Sequence, residues 1–314
     1  MSEQISSTTK HNHWHFIVNP VSGKGVGVKR WQEVKSRLDK SNINYSFSQS
    51  EYHMHAIELV KIQAESGIKN FIGIGGDGTL NELLNGILQA GFNVEEFTIG
   101  LMPIGTGNDW VRSHPSVLNL DKVIQKLSKP TFVKHDIGLI KFSNEKSEIG
   151  FMNVAGCGLD GQVVEEIEHL SAANKKGKRA YIQGLLTALR TYESSKQSLV
   201  VEGTNWMNEN LLVVTAALGR YFGNGMLISP NAVCNRRKLD FTAVTKVSNW
   251  IVFPQLFKLF NGKIASASFV EKRLGQQLRV SSNVPLPIQA DGEFIGRSKT
   301  IEFGLHPQQI NVLG

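Results

Sequence analysis

The sequence predicts two domains of different architecture, an N-terminal α/β domain built on a parallel sheet and a C-terminal β-sandwich. Three observations predict them. Apolar strands alternate with helical stripes as far as about residue 130, the hallmark of a parallel α/β sheet. Short β-rich runs separated by Gly, Asn and Ser turns then take over. The chain has 314 residues, more than the roughly 100 to 200 of one domain.

Each N-terminal element follows from its pattern. His15 to Asn19 is a short apolar strand that enters NPVSGKG, and Val28, Trp31, Val34 and Leu38 then recur at helical spacing. Ile43, Tyr45 and Phe47 alternate as a second strand, and Ala56, Leu59, Val60 and Gln63 share one face of a second helix. Phe71 to Ile74 is a third strand entering GGDGT; Leu80, Leu83, Leu84, Ile87 and Leu88 form the next stripe, with Thr79 and Glu82 at capping-box spacing. Ile99 to Ile104 is a fourth strand, and it ends in GTGND.

Past Lys134 the β-rich runs are HDIGLI, GFMNVAG, SLVVEG, LLVVTAAL, KLDFTAVTKV, SFVEKRLGQQLRV and PLPIQADGEFIG. Helical segments interrupt them around Gln162 to Tyr192 and Trp250 to Phe260. The expected division is a flexible tail over 1–13, a nucleotide-binding α/β domain over 14–134 and a β-sandwich over 135–300.

Composition narrows the partners. Lys and Arg outnumber Asp and Glu by 34 to 27, and a net charge of +7 favours anions, whether nucleotides, nucleic acid or acidic lipid headgroups. The two cysteines, Cys157 and Cys234, are too few for a disulfide framework or a multi-cysteine zinc site, which fits a reducing interior. MSEQISSTTKHN lacks the apolar stretch of a signal peptide. The best apolar run, Leu211 to Leu218, falls well short of the roughly 18 residues of a span, so the expectation is a cytoplasmic protein with peripheral membrane contact.

In GGDGT, small residues let the amides of Gly75, Gly76 and Gly78 approach an anion at a helix N-terminus. Asp77 is out of place beside bare phosphates unless a magnesium ion or its water lies between; otherwise it is a local hydrogen-bonding residue of a glycine-rich turn. Because NPVSGKG, GGDGT and GTGND each follow a strand of one sheet, the three loops fall along the same edge, where ligands of such sheets bind. Thr106 and Asn108 can hydrogen-bond phosphate or ribose; Asp109 either caps the next helix or organises magnesium waters. Asn19, Ser22 and Lys24 are candidate phosphate or adenine-side contacts, with Lys24 equally a solvated loop charge.

In QADGEFIG, Asp291 and Glu293 stand two apart on a strand or turn, a spacing that can project them the same way. Transfer of a phosphoryl group to an alcohol needs a carboxylate to accept the hydroxyl proton, and Asp291 suits it. On its own, DGE is also a common β-turn.

Taken in order, NPVSGKG, GGDGTLNE, PIGTGNDW, GFMNVAGCGLDG, PNAV and QADGE resemble the diacylglycerol kinase catalytic-domain family, which includes soluble bacterial lipid kinases and sphingosine kinases; the likeness runs from His15 to Leu313. The resemblance implies an ATP site in a cleft between the α/β domain and the β-sandwich, with residues 301–314 returning to the first domain. It implies ATP contacts from Gly75, Gly76, Asp77, Gly78, Thr79, Asn81, Gly105, Thr106 and Asn108, with Ser50 replacing a nucleotide-contacting threonine. It further implies Asp291 as general base, with Asp77, Asp109 and Glu293 supporting Mg2+ and the phosphates. The expected activity is transfer of the γ-phosphoryl group of ATP to diacylglycerol or a similar lipid at an anionic membrane surface. Nucleic acid is not an expected partner, and a homodimer is left open. A sphingoid-base kinase, a kinase resembling NAD kinase and a non-catalytic nucleotide-binding membrane protein are the alternatives.

One departure stands out. Similar bacterial enzymes often carry a D-G pair before L-D whose Asp holds an accessory structural magnesium; Arg236 and Arg237 fill those positions here, so that site is expected to be absent and Asp240 to be structural. The apolar helices with Trp250, Phe253 and Phe257, or with Tyr181, Leu185 and Leu189, are more often core than acyl pocket. Lys175, Lys176, Lys178 and Arg179 read as a solvated loop or a headgroup contact.

Overall fold

The computed structural model describes residues 13–104, 108–114, 119–142, 148–172, 178–246 and 267–314. Gly105, Thr106, Lys175, Lys176 and the segment from Trp250 to Phe260 lie outside the described residues. Two compact units are present, Met1–Asp136 with Pro307–Gly314, and Ile137–His306.

In the first unit, β1 (Trp14–Val18) lies between β2 (Tyr45–Gln49) and β3 (Asn70–Gly75), and β4 (Thr98–Pro103) follows β3, every pairing parallel. β1 and β3 are buried along their whole length, which is why they read as continuous apolar runs rather than alternating ones. The helices are α1 (Ser22–Leu38), α2 (His55–Glu65), α3 (Asp77–Ala90), α4 (Asp109–Ser113) and α5 (Val123–Ser128). Phe16, Trp31, Val34, Ile72, Ile74 and Met102 meet in the core between α1 and the sheet. Against α2, a methyl group on Gly86 would come within 2.7 Å of the Val60 side chain and 2.8 Å of the Ile57 carbonyl, so the helices touch backbone to side chain there.

Three local expectations change. α1 begins at Ser22, so most of NPVSGKG is helix rather than open loop, and Val28 is exposed instead of joining the stripe. α3 begins at Asp77, which places Thr79 and Glu82 inside the helix, where they cannot form a capping box. Glu82 instead accepts the Ala56 N–H at 3.0 Å and so satisfies the first turn of α2, which has no capping side chain of its own.

The second unit is antiparallel. It contains the end of β5 (Phe132–Phe142), β6 (Ile149–Phe151), β7 (Val154–Gly158), α6 (Leu159–Ala172), α7 (Lys178–Thr191), β8 (Ser195–Val201) and β9 (Thr204–Ala217). Then come β10 (Tyr221–Phe222), β11 (Met226–Leu227), β12 (Leu239–Thr245), β13 (Val270–Gly275), β14 (Leu278–Ala290) and most of β15 (Glu293–Leu313). β9 pairs with β8 along its first half and with β7 along its second, and β14 likewise changes partner from β8 to β7. This folds the sheet around one core that includes Phe151, Leu199, Val214, Phe241, Val280 and Phe303. The return to the first unit starts later than residue 301: β15 pairs with β14 as far as Phe303 and reaches β4 only at Asn311 and Val312.

Three buried histidines in the first unit are fixed by their neighbours. His15 bonds Ser46 and Ser48 through its two ring nitrogens, at 2.7 and 3.1 Å. Trp110 donates its indole N–H to His135 Nε2 at 3.2 Å; an indole N–H can only donate, so Nε2 accepts and Nδ1 carries the proton given to the Asp136 carbonyl. His114 stacks on both rings, 4.3 Å from Trp110 and 5.0 Å from His135. Burial, with some repulsion from His13, lowers His15 to about 4. Burial also lowers His135 to about 4, and burial plus His135 lowers His114 to about 3.

These depressed values lie below the unfolded value of about 6.5, so the stability they represent is complete above pH 6.5 and is lost as pH falls through about 4 to 3. For a fully buried ring such as His135 the loss is on the order of 3 kcal/mol. Hydrogen exchange on the whole chain, corrected for intrinsic rates, is predicted to show β1 and α4 losing protection between pH 7 and 4.5; unchanged protection there would contradict this.

Candidate functional site

At the C-terminal ends of the parallel strands, backbone bonds sew the loops of the first unit together. Asn19 N–H donates to the Ile74 carbonyl at 3.0 Å, Ser50 N–H to the Val18 carbonyl at 3.0 Å and Ile104 N–H to the Gly75 carbonyl at 2.7 Å. The Asn19 side chain spans two loops, accepting the Val21 N–H at 3.2 Å and donating to Thr79 Oγ1 at 3.4 Å. Gly75 has no room for a side chain, because a Cβ would sit 2.1 Å from Thr79 Oγ1. At Gly76 a Cβ would lie 3.3 Å from Asn108 Oδ1, so GGDGT and GTGND meet.

Asp77 holds that meeting point. Its carboxylate accepts the Asp109 N–H at 2.7 Å and the Trp110 N–H at 3.4 Å, satisfying donors that α4 leaves open at its start. Asp77 is therefore a hydrogen-bonding residue, but toward a segment 32 and 33 residues along the chain rather than within its own glycine-rich turn. Asp109 is buried at 4% exposure and pairs with Arg112 Nε at 3.5 Å. Carboxylates are the hard-oxygen donors that suit Mg2+, and Asp77 and Asp109 would hold it directly or through water.

The other expected contacts in this unit divide. Ser50 is buried, its hydroxyl directed to the Val18 carbonyl at 3.4 Å, and Gly78 and Thr79 lie in the first turn of α3. Asn81 is buried at 3% exposure and accepts from Asn85 at 2.9 Å, so it is engaged within α3.

In the second unit, Asp291 and Gly292 form the two-residue turn between β14 and β15. Their φ values of 51° and 90° are both in the left-handed region, as a type I′ hairpin requires and an Asp-Gly pair permits. Of the strand and the turn that the spacing allowed, the turn is what forms, with Glu293 the first residue of β15. The Asp291 carboxylate turns back and accepts three consecutive backbone amides, Met152 at 2.8 Å, Asn153 at 2.8 Å and Val154 at 3.0 Å. Its own N–H donates to the Val154 carbonyl at 3.0 Å. Glu293, the first residue of β15, is pushed up to about 7 by burial, then by the charges of Glu168 and Asp291.

Sequence reasoning overlooked the residues that support this turn. Asp160 is buried at the start of α6 and is pushed up to about 6 by burial, against hydrogen bonds from Gln289 and Gly161 that lower it. The available signal was an acidic residue in the largely apolar, glycine-rich run GFMNVAGCGLDG, with Gln289 as the first residue of QADGE.

Where an accessory metal was expected to be missing, Arg236 donates to the Asp240 carboxylate and, at 3.3 Å, to the Asn231 carbonyl. Arg237, in the left-handed region at φ 58°, donates to the His306 carbonyl at 2.9 Å. A guanidinium thus holds a carboxylate and a carbonyl, the kind of oxygen partners a bound cation would take.

Comparison with known proteins places these features. Residues 13–140 match the diacylglycerol kinase catalytic domain, and residues 153–314 match the YegS C-terminal NAD kinase beta sandwich-like domain. The chain belongs to the diacylglycerol kinase catalytic-domain family. As a member it is a lipid kinase, and kinases of this family use ATP. It is 25% identical over 297 residues to "Putative lipid kinase YtlR" of Bacillus subtilis, across 91% of this chain and 94% of that one. It is 28% identical over 225 residues to "Probable lipid kinase YegS" of Escherichia fergusonii, across 72% and 73%. A crystal structure of a diacylglycerol kinase from Bacillus anthracis shares the fold with a TM-score of 0.70 at 18% identity, covering 96% of each chain.

In this kinase buried Asp160 and half-buried Glu293 of the second unit carry a pH signature. Raised values of about 7 for Glu293 and about 6 for Asp160 mean that their stability contribution is complete below pH 4 and is lost as pH rises through 6 to 7. Protection of β14 against hydrogen exchange is predicted to increase from pH 7 to 5, opposite to β1, and Glu293→Gln should flatten that trend. A β14 that loses protection in parallel with β1 would refute it.

Proposed function

We propose that this lipid kinase transfers the γ-phosphoryl group of ATP to the hydroxyl of diacylglycerol or a similar lipid, with Asp291 as general base. The observation that carries the reading is the Asp291 carboxylate, fixed by three consecutive amides at the tip of a tight hairpin. A base held in place needs no reorganisation when the hydroxyl arrives, and positioning supplies most of the rate in phosphoryl transfer.

Asn19, Ser50, Gly75, Gly76, Gly78 and Thr79 line the strand ends that would receive the nucleotide, where backbone amides and a helix N-terminus favour phosphate. Asn108, beside Gly76, joins that set. Magnesium held by Asp77 and Asp109, directly or through water, would neutralise charge on the transferring group. Arg236 replaces the accessory cation in the second unit. Among the described residues no helix is long and apolar enough to cross a membrane, and the net charge of +7 supports contact with an anionic lipid surface.

The test is product analysis with γ-labelled ATP, Mg2+, NAD as a competing acceptor and mixed vesicles of phosphatidylglycerol with diacylglycerol or a sphingoid base. Label is predicted in the phosphorylated diacylglycerol, and Asp291→Asn should lower turnover by about a hundredfold or more while nucleotide binding is kept. Label confined to the sphingoid base would move the substrate assignment, and label in a dinucleotide would overturn the lipid reading.

A further inference from the structure

The turn that carries Asp291 is itself tied down by a chain of buried hydrogen bonds. Gly292 N–H donates to Gln289 Oε1 at 3.0 Å, and Gln289 Nε2 donates to Asp160 Oδ2 at 3.1 Å. The other oxygen of Asp160 accepts the Gly161 N–H at 2.9 Å. Asp160 is 7% exposed and Gln289 3%. We infer that Asp160 and Gln289 are positioning residues for phosphoryl transfer, forming a strut from α6 to Gly292 that sets where the Asp291 carboxylate stands.

Three features support a dedicated strut over ordinary core filling. A carboxylate away from water is costly to keep, and an apolar side chain would fill the same space without that cost. The polarity of the chain is forced, because both its ends are backbone N–H donors that need acceptors. Space has also been cleared around it. A Cβ on Gly156 would stand 2.1 Å from Asp160 Oδ2, and one on Gly161 would stand 2.4 Å from the Pro287 carbonyl. Gly156 is the register partner of Gln289 across β7 and β14, so a glycine occurs where the strut crosses the sheet.

α6 also grips the far side of the turn. Glu168, two helical turns beyond Asp160, accepts the Phe294 N–H at 3.0 Å. Gly292 and Phe294 flank Glu293, so the backbone on both sides of that residue is referenced to one helix. Loosening Asp160 would release the Gly292 side of the turn, leaving the three amide bonds of the Asp291 carboxylate, the Asp291 N–H to the Val154 carbonyl and the Glu168 bond to Phe294 as its anchors.

The forced polarity supplies the test, which rests on Asp291 as the base. In Asp160→Asn the single carbonyl oxygen serves Gly161, and the new NH2 group faces the Gln289 NH2 group. In Gln289→Glu two carboxylates face each other. Combining the two restores the chain with one link reversed: the amide introduced at position 160 can donate to the carboxylate introduced at position 289, which still accepts from Gly292. Each single variant is predicted to lose about tenfold in kcat for lipid phosphorylation with KM for ATP within about twofold, and to exchange the Gly292 amide faster. The double variant should recover kcat and Gly292 protection to within about threefold of the unaltered enzyme, a coupling that non-interacting core residues would not show.

Asp291→Asn is assayed alongside. If it loses turnover while the single strut variants keep both kcat and Gly292 protection, the strut is refuted and the base stands. If the double variant is no better than the worse single, the strut is refuted even where a single variant folds poorly. If Asp291→Asn keeps full turnover, the base assignment fails and the positioning role falls with it.

Discussion

A carboxylate withdrawn from water must be given donors, and in both units backbone amides supply them. Asp291 takes three from the segment entering β7, and Asp77 takes two from the start of α4. Each bond fixes a side chain and at the same time fixes the segment that donates. In the first unit this draws the loops after β3 and β4 together. In the second it draws the β14–β15 hairpin onto β7. Glycine at position 156 reflects close approach to a carboxylate, since a Cβ there would stand 2.1 Å from Asp160 Oδ2, whereas at Gly75 it is the Thr79 side chain that leaves no space.

What was legible in the sequence was what local pattern encodes. Buried parallel strands are runs of apolar residues, so β1 and β3 were found within a residue or two. The hairpin at Asp291 was open to reading as a turn, because Asp-Gly is a local signal. Bonds formed far along the chain were not legible. Glu82 fits a capping box by spacing, yet its oxygen serves Ala56, 26 residues earlier. The Asp160–Gln289 pair spans 129 residues, so neither residue announces the other. Asp77 was open to reading as a partner of magnesium or as a hydrogen-bonding residue of its own turn, because nothing local revealed that its oxygens would meet amides 32 and 33 residues later.

The two units also shift their buried titratable groups in opposite directions. Burial holds the histidines of the first unit neutral and favours the protonated form of Asp160 and Glu293 in the second. Both shifts arise from the same cause, exclusion of charge from a poorly solvated interior. Acid therefore loosens one unit under conditions that relieve the other. A single melting temperature would average these effects, since the two compact units need not unfold together.

Position 291 shows how narrowly two demands can select one residue. Its backbone lies at φ 51°, where glycine, asparagine and aspartate are tolerated and most other side chains are strained. Three amides converge on its side chain from residues 152 to 154, and they need two acceptor oxygens. Glycine meets the backbone demand and offers no acceptor. Asparagine meets it with one oxygen, and its NH2 group would face an N–H donor. Glutamate has both oxygens but is strained at this φ and too long by a methylene. Aspartate alone satisfies both demands, so the fold by itself accounts for its identity here. A variant that loses turnover at this position must consequently be read together with its stability, because the carboxylate that would take the proton is also the one that closes the hairpin onto β7.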